Sequence, residues 1–274
     1  VDRMAKVVLC IGGSDSSGGA GIQADIKTLE VHGVFAATAV TALTVQNTSG
    51  VRAVMPVSPD FVISQIRAVR DDFEIAAVKI GALLTKEIID AVKGEIGGIS
   101  ENIVVDPVCV SKAGSSLLQA GAEPDLLGLC RVATVVTPNM TEAKKLYGYE
   151  IGDSDSLAFL RRVGYPVLVK NHTINREGGG VSVDILYDGR SKSIFETPLT
   201  DSDFTHGAGC SFASAIAANL ALGYPLCEAI GMAKRFVYFA IEEAKKAGAL
   251  GGGKHPMAHK AGYERLTEYL KGIK

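Results

Sequence analysis

The chain has 274 residues, a formal net charge of -2, an apolar share of 47% and no Trp, so neither a basic stripe nor an aromatic stacking surface points to a nucleic-acid partner. Its five cysteines are scattered and never spaced as CxxC, which argues against a disulfide framework or a zinc site and predicts reduced thiols in the cytoplasm. No apolar run has the length of a membrane span and no signal peptide is visible, so we expect no membrane partner.

Short runs rich in Val and Ile alternate with amphipathic stretches, which is the pattern of βαβ units. The predicted buried strands are residues 6–11, 37–45, 76–80, 102–106, 132–136 and 166–170. The amphipathic stretches between them are residues 22–31, 59–69, 85–92 and 141–147. The alternation predicts one α/β domain over residues 1–274 with a largely parallel sheet.

Two predicted hairpins interrupt the parallel pattern. Residues 51–57 form the return arm of the strand at 37–45, and residues 181–187 pair with 192–195.

One segment within the chain and the end of the chain carry weaker signals. Residues 175–180, which end in three glycines, are either a mobile loop over a site or a short surface turn, and the turn is the commoner explanation. From Gly207 onward the sequence is predicted to be mostly helical, and the tail 247–274 contains an amphipathic helix pattern whose role the sequence leaves open.

Polar residues follow the predicted strands at their carboxyl ends, where ligands bind in open α/β sheets. These are the glycine-rich loop 12–21 with Asp25 in the helix behind it, then residues 46–48, 106–107, 137–139 and 170–172. Each alone is explained as a helix start, and Asn139 with Glu142 three residues later is a capping box. Five such strand ends together favour a binding site.

A second glycine-rich segment, residues 205–210, opens a run of small, helix-compatible residues. The free N–H groups and the dipole of a helix N-terminus suit an anion such as a transferring phosphoryl group, although most GxG turns are only backbone turns. Asp25, Asp106 and Glu142 are candidate Mg²⁺ ligands, because phosphoryl transfer needs a metal that bridges phosphate oxygens. Lys170 either offsets phosphate charge or is simply solvated.

Together these segments resemble one known family. Residues 11–25 closely resemble the opening of the hydroxymethylpyrimidine and hydroxymethylpyrimidine-phosphate kinases of thiamine biosynthesis, which are ribokinase-like enzymes. The resemblance continues in order through residues 41–48, 78–81, 106–108, 137–139, 183–189 and 205–210, so it extends to about Lys246. It implies a three-layer sandwich in which helices flank a mostly parallel central sheet. It also implies an enzyme that uses ATP and Mg²⁺ to phosphorylate 4-amino-5-hydroxymethyl-2-methylpyrimidine and then its monophosphate.

The same resemblance assigns roles to eleven residues. Gly13, Asp25 and Gln46 lie on the substrate side, and an amide such as that of Gln46 both donates to and accepts from an aminopyrimidine. Toward the phosphates, Asp106 and Glu142 hold Mg²⁺, while Asn139 and Lys170 approach the nucleotide. The anion hole is formed by the N–H groups of Gly207, Ala208, Gly209 and Cys210.

Cys210 stands where most ribokinase-like enzymes have an Asp base. The hypothesis is that the helix N-terminus lowers the pKa of this thiol, and that the thiolate takes the hydroxymethyl proton as the oxygen attacks the γ-phosphate. The alternative is a spectator cysteine that only lines the start of the helix.

Several departures from the family pattern leave the choice of substrate open. Ala82 and Cys109 stand where many relatives have Met, Asn171-His172 replaces Gly-Gly-His, and Phe204 replaces Asn. The nearest alternative is a pyridoxal kinase on the same scaffold, although Gln46 favours the pyrimidine. A non-catalytic pyrimidine or nucleotide sensor is the alternative from another class. A homodimer is expected from the resemblance alone.

Overall fold

The computed structural model describes residues 6–110, 114, 116–149, 163–176, 179–189, 191–200 and 202–272. Within these residues the strands are β1 (Val7–Asp15), β2 (Phe35–Asn47), β3 (Gly50–Pro56), β4 (Ile75–Ile80), β5 (Ile103–Val105), β6 (Val135–Val136), β7 (Val167–Arg176), β8 (Gly179–Tyr187) and β9 (Lys192–Pro198). The helices are α1 (Gly21–Val31), α2 (Pro59–Asp72), α3 (Lys86–Ile96), α4 (Glu123–Cys130), α5 (Met140–Tyr147), α6 (Ala208–Ala221), α7 (Leu226–Ala247) and α8 (His259–Gly272).

The described strands form one sheet in the order β3-β2-β1-β4-β5-β6-β7-β8-β9. The six strands from β2 to β7 in this order are parallel to one another, because a helix or a helical crossover separates each from the next. The two predicted hairpins supply the antiparallel edges, β3 on one side and β8 with β9 on the other. The predicted α/β class with a mostly parallel sheet is therefore confirmed.

Helices cover both faces of this sheet, since alternate residues of the central strands point to opposite sides. Leu9 and Ile11 of β1 join a core with the buried residues of α2, α3 and α4. Val8 and Cys10 join a second core with α1, α6, α7 and α8. The alanine-rich α6 is buried from Ser211 to Ala221, because small side chains let it lie close to the strands. The result is the predicted three-layer sandwich.

Several strands, β1 and β7 among them, are longer than the sequence predicts. β1 continues through Gly12 to Asp15, pairing with β2 after an irregularity between Gly12 and Gly13, where a loop was expected. β7 runs on to Arg176, and its pairing with β8 places residues 175–176 and 179–180 in a hairpin. The described residues of that segment are therefore strand residues, and residues 177–178 lie outside the described part of the structure.

The helical prediction from Gly207 onward is also confirmed. In the tail, α8 packs so closely on α7 that a Cβ at Gly262 would lie 2.5 Å from Ala240. Leu266 of α8 contributes to the core on that face of the sheet. No described helix combines the length and the apolar character that crossing a membrane requires.

Candidate active site

A cavity of about 770 Å³ opens at the carboxyl ends of the parallel strands, and this volume is typical of small-molecule sites. Every residue assigned from the sequence lines it: Gly13, Asp25, Gln46, Asp106, Asn139, Glu142, Lys170, Gly207, Ala208, Gly209 and Cys210. The expectation that the polar strand ends meet at one edge of the sheet is therefore confirmed. The chemical roles of these residues stay predictions.

The first glycine-rich loop is shaped by Asp15, a residue to which the sequence assigned no role. Its carboxylate accepts hydrogen bonds from Ser17 N at 2.8 Å, Ala20 N at 2.8 Å and His206 Nε2 at 2.8 Å. Burial raises the pKa of Asp15, but the hydrogen bonds from His206 and Ser17 outweigh it and hold that pKa well below its usual range. Asp15 is therefore ionised and fixes the loop backbone.

The second glycine-rich segment lies directly against the first. Gly207 is the N-cap of α6 with φ 80°, and a Cβ there would lie 1.9 Å from the carbonyl oxygen of Gly19. A Cβ at Gly19 would in turn lie 2.2 Å from the His206 ring. Both positions therefore need glycine, at Gly207 also for its left-handed backbone. The sequence did not reveal this contact, because Asp15 and His206 are 191 residues apart.

The anion hole differs in one detail from its prediction. The Ala208 N–H donates to Thr205 O at 3.2 Å, so this donor is already bonded within the turn. Gly209 faces the charged groups of the cavity, since a Cβ there would lie 3.7 Å from both Asp106 Oδ2 and Lys170 Nζ. The first turn of α6 thus presents its N-terminal end to a lysine and a carboxylate.

The predicted lowering of the Cys210 pKa is wrong for the ligand-free protein. Burial raises the pKa of this thiol to about 11, and Asp25 and Asp106 add to that effect. Lys79 and the N–H of Gly21 act in the opposite direction but do not compensate. A helix N-terminus lowers a thiol pKa only where desolvation and nearby carboxylates do not outweigh it.

Asp25 is held in a buried ion pair. Lys79 Nζ lies 2.8 and 2.9 Å from its two oxygens, and Ser214 Oγ donates to Oδ1 at 2.7 Å. Because the Lys79 ammonium contacts both oxygens and neutralises their charge, the structure does not support Asp25 as a direct Mg²⁺ ligand. Burial lowers the pKa of Lys79, but Asp25, Cys210, Asp106 and Cys10 together outweigh burial and raise that pKa above its usual value, so Lys79 is charged. A lysine inside the apolar strand β4 was the signal that sequence reasoning missed.

A second charged cluster joins Asp106, Lys170 and Glu142. Lys170 Nζ lies 2.8 Å from Asp106 Oδ1, and Thr137 donates to the same oxygen at 3.1 Å. The predicted capping box is confirmed: Asn139 accepts from Glu142 N at 2.9 Å, and Glu142 accepts from Asn139 N at 3.0 Å. Burial and the charge of Asp106 raise the pKa of Glu142 to about 7. The cluster is therefore short of positive charge.

This cluster fits a magnesium ion of the kind that phosphoryl transfer uses. Mg²⁺ takes oxygen ligands and is usually held by one or two carboxylates together with phosphates and water. Asp106 and Glu142 supply two such carboxylates at one end of the cavity. The described part of the chain contains no set of three or more His, Cys, Asp or Glu that forms a dedicated metal cage.

The far end of the cavity contains a pair that the sequence did not reveal. Lys234 Nζ of α7 lies 2.9 Å from Asp184 and 3.1 Å from Ser182 Oγ. Asn171 N donates to Asp184 at 2.9 Å, and Asn171 has φ 66°, which Asn tolerates better than most residues. The cavity lining also includes the apolar side chains of Leu199, Val237, Tyr238 and Ile241.

Of the departures from the family pattern, Ala82 lines the cavity, whereas Cys109 does not. Cys109 is fully buried in the core, and its Sγ donates to Pro107 O. Phe204 packs on the ring of His255, at 4.7 Å between centroids. Among these three, only Ala82 changes the surface that a substrate meets.

Fold and site together define a small-molecule kinase with the ribokinase-like architecture. The model of the family described as phosphomethylpyrimidine kinase matches residues 15–257. The chain belongs to this family, which confirms the resemblance and the expectation of a kinase.

Three similar proteins illustrate the range of relatives. The chain is 39% identical to a hydroxymethylpyrimidine/phosphomethylpyrimidine kinase of Rhizobium meliloti, covering 93% of this chain and 97% of that one. It is 43% identical to a thiamine biosynthesis bifunctional protein of Geobacter sulfurreducens, with 92% of this chain and 52% of that protein covered, so it spans about half of that relative. The structure of an ADP complex of Bacillus subtilis pyridoxal kinase aligns with a TM-score of 0.78 and 33% identity, over 96% of this chain and 100% of that chain.

Proposed function

We propose that this protein transfers the γ-phosphoryl group of ATP to the hydroxymethyl oxygen of 4-amino-5-hydroxymethyl-2-methylpyrimidine, and then a second phosphoryl group to the monophosphate. The observation that carries the proposal is the single cavity in which Gln46 and the first glycine-rich loop face Cys210 and the start of α6. Relatives at 39% and 43% identity bear names of this activity and this pathway, and the ADP complex of a similar kinase supports a nucleotide ligand.

The substrate is held at the end formed by Gly13 and Gln46. Thr44 Oγ1 donates to Ser14 O at 2.9 Å and lies 3.3 Å from the Gln46 amide oxygen, so the Gln46 amide has both donors and an acceptor to offer to the aminopyrimidine. Asp25 acts through Lys79, whose charge it fixes beside the cavity. This end is proposed to orient the hydroxymethyl group toward α6.

At the reacting end, Cys210 accepts the hydroxymethyl proton as the oxygen attacks the γ-phosphate. Burial opposes the thiolate that this step requires, and Lys79 and the Gly21 N–H favour it. Lys170 and the first turn of α6 stabilise the negative charge of the transferring group. Asp106 and Glu142, the latter fixed by Asn139, would hold Mg²⁺, which would supply positive charge to offset that of the phosphates.

The test is an ATP-consumption assay with Mg²⁺ and four acceptors at matched concentrations: the hydroxymethylpyrimidine, its monophosphate, pyridoxal and pyridoxamine. Turnover of both pyrimidines with little turnover of the pyridines supports the proposal. Preference for pyridoxal instead supports the second candidate, a pyridoxal kinase, which the likeness to the Bacillus subtilis enzyme favours. Tight binding of the pyrimidine without ATP turnover supports the sensor.

The remaining predictions are a homodimer of one kinase domain spanning residues 1–274, a cytoplasmic location and no nucleic-acid partner. The homodimer is supported by the outer face of the β2–β3 hairpin, where Leu43 pairs with Met55 and Val45 lies nearby. These side chains are 45%, 59% and 57% exposed, respectively. Exposed apolar patches of this kind mark interaction surfaces. Sedimentation equilibrium at micromolar concentration checks the dimer.

A further inference from the structure

The segment 251–259, which joins α7 to α8 and is here named the C-terminal strap, contacts three parts of the chain that adjoin residues of the cavity wall. It passes the turn between β2 and β3, then the residues before Gly207, and finally the first turn of α6. These contacts involve parts of the chain that lie more than 150 residues apart in sequence.

The first contact is with Thr48, two residues beyond Gln46. Gly253 N donates to Thr48 Oγ1 at 3.2 Å, and Lys254 N donates to Thr48 O at 2.9 Å. A Cβ at Gly253 would lie 2.2 Å from Thr48 O, so the two backbones approach as closely as glycine permits. The adjacent Gly252 has no atom within 4 Å of its Cβ position.

The second contact is backbone pairing with the residues before the anion-hole turn. His255 N donates to Asp203 O at 2.8 Å, and His206 N donates to His255 O at 3.0 Å. His206 and Pro256 form a parallel bridge. The strap therefore holds the backbone one residue before Gly207.

The third contact is a buried side-chain pair. His259 Nε2 and Ser211 Oγ lie 2.9 Å apart, and both residues are buried. Ser211 directly follows Cys210 in the first turn of α6. Ala258 N donates to Ala240 O at 3.1 Å, which anchors this end of the strap on α7.

We propose that the strap is a positioning element that fixes the β2–β3 turn, and with it Gln46, relative to Gly207–Cys210. The argument rests on the proposed function, because these two groups are the substrate end and the phosphate end of the same reaction. Phosphoryl transfer depends on the acceptor oxygen and the γ-phosphate being held at a fixed spacing. β3 is an edge strand, paired in the sheet on one side only, so its turn gains its position from such contacts.

The experiment compares Gly253→Ala with Gly252→Ala in the full chain. The two variants carry the same change at adjacent positions, but only the first clashes with Thr48. Gly253→Ala is expected to raise KM for the pyrimidine and to lower kcat about tenfold relative to Gly252→Ala, since small misplacements reduce rates by factors up to about 10². Thr48→Ala removes a hydrogen-bond acceptor without adding bulk. It is expected to raise KM and lower kcat as Gly253→Ala does, but by smaller factors.

Amide hydrogen exchange of the ligand-free variants separates this inference from the proposed function, because it needs no substrate. Gly253→Ala is expected to speed exchange at residues 206–211, which the substitution does not touch. The positioning role of the strap is contradicted if Gly253→Ala speeds exchange only at residues 48–50. In that case exchange at residues 206–211 and the value of kcat would both equal those of Gly252→Ala. If the wild-type protein phosphorylates no pyrimidine, the proposed function is wrong. The exchange measurement still shows whether the strap couples residues 48–50 to residues 206–211.

The opposite end of the strap provides a rescue test. His259→Ala removes the partner of Ser211, whereas His259→Gln retains a nitrogen that can reach the hydroxyl. His259→Ala is expected to lower kcat about tenfold and to speed exchange at residues 48–50, with His259→Gln restoring both by at least half. Equal kinetics and equal exchange for the two variants contradict the positioning role.

Discussion

The two ends of the cavity are built from different chemistry. At the phosphate end, charges are paired and buried, with Lys170 2.8 Å from Asp106. At the substrate end, apart from the buried pair that Lys79 forms with Asp25, the wall consists of backbone and neutral side chains, namely Gly13, Ala42, Thr44, Gln46 and Ala82. Charged side chains are therefore concentrated where the phosphate groups are proposed to bind, while mainly neutral groups face the proposed pyrimidine ring.

This contrast has an energetic consequence. Removing one member of a buried ion pair leaves an uncompensated charge, which costs several kcal/mol, whereas removing one neutral hydrogen bond costs about 1–3 kcal/mol. Because the charged groups of the phosphate end face the charge that develops in the transition state, changes there should also reduce kcat strongly. Changes at the substrate end should mainly raise KM.

The largest effect is expected from Cys210→Ala, with a fall in kcat of about 10²–10⁴, the range for loss of a general base. Because the pKa of the Cys210 thiol is about 11 in the ligand-free protein, the wild-type rate should rise with pH from 7 to 9. The alanine variant should show no such rise. Stopped-time assays across this pH range, with Cys210→Ser as a control of matched size, measure both effects. Near-normal turnover by Cys210→Ala would leave the thiol without a catalytic role.

The next effect is expected from Lys170→Met, which removes the cation that faces Asp106 and Gly209. We expect kcat to fall about 10²–10³, as for the loss of a group that stabilises the charge of a transition state. The matched control is Lys145→Met, which breaks an exposed pair with Glu123 worth about 0–1 kcal/mol. Steady-state kinetics that show the same kcat for both variants would contradict the contrast between the two ends.

Glu142→Gln tests the charge state of the phosphate end through the pH dependence of the free energy of unfolding. The pKa of Glu142 is raised from 4.5 to about 7 by burial and by Asp106, so between these pH values the folded protein holds a proton that the unfolded chain has lost. The free energy of unfolding therefore decreases as pH rises through this window, by at most roughly 3 kcal/mol from this group. The variant should lack this decrease, while Gln retains the capping geometry.

Urea unfolding at pH 5 and pH 7.5 measures that difference for the wild type and Glu142→Gln. The control is Glu123→Gln, because the hydrogen bond from Lys145 lowers the pKa of that half-buried carboxyl instead. If Mg²⁺ binds at Asp106 and Glu142, calorimetric titration at pH 6 should also detect proton release, since a ligand must be deprotonated. An equal pH dependence of unfolding in all three proteins would show that Glu142 is ionised throughout.

The smallest effect belongs to the neutral end. Gln46→Ala should raise KM for the pyrimidine about tenfold and change kcat less, as expected for the loss of a neutral hydrogen bond. Asn47→Ala is the control, since its side chain accepts from Ser49 N and does not line the cavity. If Gln46→Ala lowers kcat rather than raising KM, Gln46 acts in the chemical step and not in substrate binding.

Much of this molecule is readable from its sequence. The period of the apolar residues predicts the strands and helices, and the rule for strand ends predicts which side chains meet. What the sequence does not reveal are pairs that only folding brings together, such as Lys79 with Asp25, 54 residues apart. The bounds of β1 and β7 also escaped prediction, because pairing with a neighbouring strand carries each beyond its apolar core. The pKa of Cys210 depends on burial, which no local pattern encodes.

The distribution of thiols gives the molecule an internal reporter. Cys10, Cys109 and Cys130 are buried, Cys227 is exposed, and Cys210 is half-buried at the cavity wall. A thiol-reactive dye therefore meets Cys227 freely and Cys210 only by entering the cavity. The ratio of the two labelling rates reads out how fully the cavity is occupied, with Cys227 as the reference on the same chain.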